Sequence, residues 1–198
     1  MSRLVLATHN NHKAEELRAL LRGTGIEILT LDSLPHIGDI AEDEKTLEGN
    51  ALKKAREVFR LTSLPSLADD TGLEVRALHG APGVYSSRYA GANATYAENV
   101  RKLLAALEGV PREQRGARFR SVLAFVAPDF ERTVEGVCPG VIIEQPRGTR
   151  GFGYDPVFLP THHEQTFAEM DLETKNRISH RALALRQMKS VLLQYFKP

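Results

Sequence analysis

Four clusters of residues in this chain carry groups capable of chemistry, and the first is Thr8-His9-Asn10-Asn11-His12-Lys13. It follows an apolar run and precedes a helical pattern. A helix N-terminus offers free N–H groups and a partial positive charge that suit a phosphate, and Thr8, Asn10 and Lys13 add side-chain donors. The plainer reading is an Asn-rich turn with a capping role. It is not a P-loop, since G-x-x-x-x-G-K-S/T does not occur. The second cluster is acidic, with Glu42-Asp43-Glu44 and Glu48 before or at the start of one helix and Asp69-Asp70 after it. Magnesium takes oxygen ligands, usually one or two carboxylates with water and substrate phosphate. Successive residues of an extended strand point to opposite faces, so only one of Asp69 and Asp70 is expected to face a given site. Asn50 and Lys54, four apart on the intervening helix, share a face and can reach the same centre. A solvated loop and a solvated helix face would look the same.

The third cluster, Gly151-Phe152-Gly153-Tyr154-Asp155-Pro156, combines close backbone approach, two aromatics and a carboxylate, which suits a flat base. A structural turn with core aromatics explains it about as well. The fourth gathers Lys175, Arg177, His180 and Arg181 where the last helix begins. Cations at a helix N-terminus are disfavoured by the helix dipole, which argues for a bound anion there, against the plainer reading of surface basicity. Zinc is a minor option, because His162-His163-Glu164 and His9/His12 lack the spacing of structural sites and Cys138 stands alone. No G-x-S-x-G nucleophile elbow is present.

The elements that must position these groups follow from periodicity. Leu4 to Ala7 reads as a strand buried on both faces, and Ala14, Leu17, Leu20 and Leu21 as a helix stopped by Gly23. Ile26 to Leu31 is a second strand. From Leu47, the positions Ala51, Leu52, Ala55, Val58 and Phe59 form one stripe of a helix ending before Pro65. Asp69 and Asp70 interrupt a strand-like segment running from Leu67 to Val75, and residues 79 to 93 are irregular. Thr95 with Glu98 is a capping box opening a helix that stops at Gly109 and Pro111. Phe119 to Val126 and Thr133 to Ile143 pair as a hairpin around Pro128-Asp129; 146 to 156 is loop; the last helix starts near Ser179.

The whole is one domain, 1–198, with no repeat or linker. A net charge of +1 lacks the basic excess that nucleic-acid binding usually shows. Four apolar residues near the N-terminus are too few for a signal-peptide core or membrane span. A lone cysteine excludes an internal disulfide and fits a reducing compartment. A cytoplasmic protein with neither nucleic-acid nor membrane partners is expected.

Taken together, ATHNNHK at 7–13, LADDTGL at 67–73, GAPGVYSSRYAG at 80–91, GFGYDPVF at 151–158 and TFAEM with KNRISHR across 166–181 resemble the inosine/xanthosine triphosphate pyrophosphatases. The match is collinear over nearly the whole chain. The resemblance implies an α/β fold: a mixed, curved central sheet flanked by helices, in two lobes with a cleft between them. It also implies a homodimer and a magnesium-dependent hydrolysis of ITP, dITP or XTP to the monophosphate and pyrophosphate. Carried over by position, Thr8, His9, Asn10, Asn11, His12 and Lys13 look like the triphosphate loop. Asp70 looks like the general base, and Glu42 with Asp70 like the carboxylates for Mg2+. Thr71, Phe152, Gly153, Tyr154, Asp155, Lys175, His180 and Arg181 look like substrate contacts. Beside this carry-over, phosphoryl chemistry needs charge neutralisation, for which Lys54 joins Lys13 and magnesium, and His180 and Arg181 with a stacking Phe152 are the expected readers of the base. One departure stands out: the family reads T-F-x-E-N-A where this chain has Thr46-Leu47-Glu48-Gly49-Asn50-Ala51, so the customary glutamate is Gly49 and Glu48 or Glu44 would have to substitute. Two alternatives remain at this stage, a pyrophosphatase for modified pyrimidine nucleotides and a non-catalytic nucleotide- or RNA-binding module.

Overall fold

The apolar run at the start becomes β1 (Ser2–Leu6), whose Leu4, Val5 and Leu6 are buried, and the polar loop after it leads into α1 (Asn11–Leu20). The computed structural model describes residues 2–9, 11–35, 37–38 and 40–197, and of residues 11, 12 and 16 the backbone alone. The expected phosphate-loop residue Asn10 therefore lies outside the described residues, as do the side chains of Asn11 and His12.

β2 (Ile26–Thr30) is followed by a 3-10 turn, Leu31–Ser33, and by α2 (Leu47–Thr62). Thr46 caps α2 through its hydroxyl, which accepts from the Gly49 N–H. Next come β3 (Ser66–Val75), the short β4 (Pro82–Gly83) and α3 (Tyr96–Ala106). The Thr95/Glu98 capping box at the start of α3 is present with both reciprocal bonds. β5 (Gly116–Ala127) and β6 (Phe130–Ile142) form the expected hairpin, turning at Asp129 with φ 54°. β7 (Phe158–Pro160), α4 (Leu172–Ile178) and α5 (His180–Tyr195) complete the chain.

The strands make one mixed sheet in the order β2-β1-β3-β5-β6-β7, with β4 paired to β3. β1 is parallel to both β2 and β3, whereas β3–β4 and β6–β7 are antiparallel. Helices flank it. Parallel neighbours need crossovers, and α1 and α2 supply them.

The chain resolves into two compact units. The first comprises Met1–Asp70, Val122–Glu135 and Ala184–Pro198, around a core of Leu4, Leu6, Leu17, Leu67, Phe125 and Met188. The second comprises Thr71–Ser121 and Gly136–Leu183, around Leu73, Leu103, Ile142, Phe158 and Phe167. Among the described residues, no helix is long and apolar enough to cross a membrane.

Two expectations need correction. Asp69 and Asp70 do not interrupt a strand; β3 runs through both, and each carboxylate meets a side-chain donor, Lys13 for Asp69 and Asn50 for Asp70. The last helix is also two helices. α4 buries none of its seven residues, so it has no apolar stripe for periodicity to detect, and its start is set by Asp171, whose carboxylate accepts from the Thr174 N–H at 2.7 Å. Lys175 and Arg177 consequently occupy the last turn of α4, where the dipole favours cations, and only His180 and Arg181 stand at a helix start. The dipole argument for a bound anion thus fails for half of that cluster.

Candidate active site

In the first unit, the acidic and basic residues of the sequence converge on Lys54. Buried positions along α2 alternate with the helical period, and Asn50 and Lys54 belong to its buried face. Lys54 Nζ donates to Glu42 Oε1 at 2.5 Å and to the Asp69 backbone carbonyl at 2.6 Å, and lies 3.8 Å from Asp70 Oδ1. Asn50 is fully buried; its Nδ2 donates to Asp70 Oδ2 at 2.9 Å while its Oδ1 accepts from the Glu44 N–H at 3.0 Å. One amide therefore fixes both the carboxylate on β3 and the acidic loop before α2. On the other side of β3, Asp69 Oδ1 accepts from Lys13 Nζ at 2.7 Å, which ties the loop after β1 to the same strand. His9 Nδ1 lies 2.8 Å from Asp32 Oδ1, an exposed pair on the 3-10 turn after β2.

This packing sets the charge states. Burial works against the ammonium of Lys54, but Asp69, Asp70 and Glu42 outweigh it and hold its pKa above the ordinary lysine value. For Asp70 burial wins: with Glu42 and Asp69 acting in the same direction, it overcomes Lys54 and the Asn50 hydrogen bond and raises the carboxyl to about 6. A carboxylate tuned there is matched to accepting a proton near neutral pH.

Among the described residues, no group of three or more His, Cys, Asp and Glu side chains is arranged to hold a metal ion. Glu42 and Asp70 nevertheless give two hard oxygen donors around one cationic centre, and magnesium needs no more protein ligands than that when phosphate and water complete its shell. The donor set fits such an ion. Of the alternatives at the departure from the family motif, Glu48 is exposed and accepts from Thr133 at 3.3 Å. Glu44 lies against Gly49: a Cβ at position 49 would be 2.9 Å from Glu44 Cβ.

The second unit gathers the aromatic and basic clusters. Asp155, 3% exposed, accepts at Oδ2 from the Phe152 N–H at 2.8 Å and from Lys175 Nζ at 2.6 Å. Lys175 Nζ is 5.2 Å from the centroids of both Phe152 and Phe167, and Arg181 Cζ is 5.5 Å from that of Phe152. The His180 ring stacks on Phe119, centroids 4.6 Å apart and planes at 13°. Phe152 itself is left 40% exposed between Gly151 and Gly153, both at positive φ. Tyr154 turns the other way: its ring joins the core and its hydroxyl donates to the Ser86 carbonyl at 2.8 Å. Burial pushes its pKa up and keeps it neutral. Thr71 hydrogen-bonds Ser121 through its hydroxyl at 3.1 Å.

Gly151 makes the Asp155 arrangement sterically feasible. With φ at 74°, a Cβ on residue 151 would sit 2.1 Å from Asp155 Oδ2. Gly151→Ala is expected to lower stability by at least ~1–2 kcal/mol through backbone strain and displacement of Asp155, read as a lower urea midpoint. An unchanged midpoint would contradict this account.

Sequence reasoning singled out Lys13, Glu42, Lys54 and Asp70, and the first unit brings these together. It missed Asp69 as the partner of Lys13, and Phe119 and Phe167 as the walls around His180 and Lys175. The i,i+4 pairing of Asn50 with Lys54 was a usable signal for Asn50.

Comparison with known proteins decides the family. The Ham1 family model matches residues 4–191. The chain belongs to the Ham1 family. It is 49% identical over 193 residues to a dITP/XTP pyrophosphatase of Geobacter sulfurreducens, covering 97% of each chain. It is 50% identical over 193 residues to one of Porphyromonas gingivalis, covering 98% of each. A Ham1 protein from Coxiella burnetii superposes with a TM-score of 0.93 at 44% identity, over 98% of this chain and 100% of that one. The Staphylococcus aureus Ham1 protein superposes with a TM-score of 0.91 at 32% identity, over the same shares. Within this Ham1 chain, the Gly49 N–H donates to Thr46 Oγ1 at 2.9 Å at the start of α2, and the missing side chain leaves room for Glu44.

Proposed function

We propose that this Ham1 family chain hydrolyses dITP, XTP and ITP at the α/β phosphoanhydride, giving the monophosphate and pyrophosphate and so clearing non-standard purines from the nucleotide pool. The observation that carries the mechanism is the buried Asp70 carboxyl, raised to about 6 and clamped by Asn50. Support for the substrate comes from relatives named dITP/XTP pyrophosphatase at 49 and 50% identity over nearly the full chain.

In this reading, the first unit handles the polyphosphate. Lys13 and Thr8, with the backbone at the start of α1, bind phosphate oxygens, and Lys54 adds charge beside them. Mg2+ held by Glu42 and Asp70 would supply neutralisation of the phosphate charge. Asp70 takes the proton of the attacking water. The water oxygen bonds to phosphorus as the bridging P–O bond breaks, and pyrophosphate leaves with the electron pair. Asn50 and Asp69 act by position, the first on Asp70 and the second on Lys13.

The second unit handles the base. Phe152 stacks on the purine, while Lys175, His180 and Arg181 meet its edge. A donor facing O6 opposes the amino group of adenine, and a hydrogen-bond mismatch of that kind discriminates by roughly 10⁴ to 10⁵. The family resemblance also supports a homodimeric assembly and a cytoplasmic location.

The test is pyrophosphate release from ITP, XTP, GTP, ATP and dTTP, with magnesium and with EDTA, at equal enzyme concentration. Metal-dependent turnover confined mainly to ITP and XTP is expected. Preference for dTTP would replace the substrate class, and salt-sensitive RNA binding without turnover would replace the enzyme reading.

A further inference from the structure

Tyr96 opens α3, and nothing in the helix start requires an aromatic side chain there. The backbone is already fixed by Thr95 and Glu98: the Thr95 hydroxyl accepts from the Glu98 N–H at 3.2 Å, and the Glu98 carboxylate accepts from the Thr95 N–H at 2.7 Å. Tyr96 is 56% exposed, and its ring meets Phe152 with centroids 6.1 Å apart and planes at 41°. Phe152 is held just as independently, by its N–H on Asp155 and by glycines at φ 74° and 62° on either side.

Two partly exposed aromatic rings, inclined at 41° on backbones fixed independently of each other, thus meet where Lys175 and Arg181 approach the Phe152 ring. The ligand class that suits both features is a flat heterocycle, whose face stacks on aromatic carbon and whose polar edge meets the cations. We propose that Tyr96 is a second aromatic wall of the base site, contacting the purine that Phe152 stacks. The inference rests on the reading of this unit as the base-binding one.

Steady-state kinetics with ITP on Tyr96→Ala, Tyr96→Phe and Phe152→Ala test it. Tyr96→Ala is expected to raise KM by roughly 5- to 100-fold, the range for losing one base–aromatic contact, with kcat within about twofold. Tyr96→Phe, which keeps the ring, recovers most of that loss. An unchanged KM in Tyr96→Ala beside a raised one in Phe152→Ala overturns the role of Tyr96 alone. An unchanged KM in Phe152→Ala overturns the base-site reading itself. A spectroscopic readout is direct because the chain has five tyrosines and no tryptophan. Inosine monophosphate should quench tyrosine emission saturably, corrected against free tyrosine, and the quench should fall clearly in Tyr96→Phe. Equal quenching in both proteins, or none in the wild type, counts against the contact.

Discussion

Replacing Lys54 by methionine is expected to destabilise the protein by about 3–5 kcal/mol at pH 7, the cost of leaving buried charge uncompensated. Lys54 is 7% exposed, and its ammonium is shared by Glu42, the Asp69 carbonyl and Asp70. Methionine matches the volume but removes the cation facing Glu42 and the buried Asp70, 8% exposed, and the donor to the Asp69 carbonyl, leaving Asp70 only its neutral Asn50 hydrogen bond against burial. The pH dependence follows from the two pKa values. Because the folded pKa of Lys54 is raised, its contribution is fully present below the unfolded lysine value of 10.5 and is lost only as pH rises through the higher folded one. On the acid side, Asp70 takes up a proton near pH 6 and one anionic partner disappears. The deficit of Lys54→Met should therefore be largest from about pH 7 to about pH 10 and shrink below pH 6. Urea unfolding at pH 5 and pH 8 measures it; equal deficits at both, or none at pH 8, would sink the argument.

Asp70→Asn is expected to lower kcat by at least ~100-fold with a modest change in KM, in the range of general-base loss. The same substitution should make the metal-free protein more stable at neutral pH. A carboxyl at about 6 in the folded chain and at the ordinary aspartate value of 3.8 in the unfolded one binds more protons folded than unfolded between those limits. Stability at this site therefore falls as pH rises from about 4 to about 6 and stays reduced above. A shift of about two units corresponds to roughly 3 kcal/mol, so a gain of about 1–3 kcal/mol is expected for the neutral amide at pH 7. Asn50 can still donate to an amide oxygen at position 70. The gain should vanish near pH 4, where the wild-type carboxyl is protonated. Full activity in this variant would remove Asp70 from the mechanism, and reduced stability in EDTA at pH 7 would remove the account of its charge. A group that the fold would rather keep neutral, retained as a carboxylate, is what a trade of stability for function predicts.

Local signals carried much of the architecture. β1, α2 and the start of α3 were legible because an apolar run, a helical stripe and a capping box are properties of neighbouring residues. α4 was not, since a helix that buries nothing leaves no periodicity. The strand rule separated Asp69 from Asp70 by face, yet both serve one charge network: Asp69 reaches Lys13 with its side chain and Lys54 with its backbone carbonyl. Side-chain alternation says nothing about where a strand's carbonyls point for a lysine on the next helix.

The sequence by itself determined the element types apart from α4, the pairing of Asn50 with Lys54 on one helix face, and, through five collinear motifs, the family. Tertiary structure alone decided the charge state of Asp70, because desolvation is set by what packs around a carboxyl and not by its neighbours in the chain. It also assembled the second cluster from Tyr96, Phe119, Phe152, Phe167, Lys175, His180 and Arg181, residues spread over more than eighty positions. Ring contacts and cation positions between distant segments depend on how the sheet and helices pack, and no local pattern encodes them.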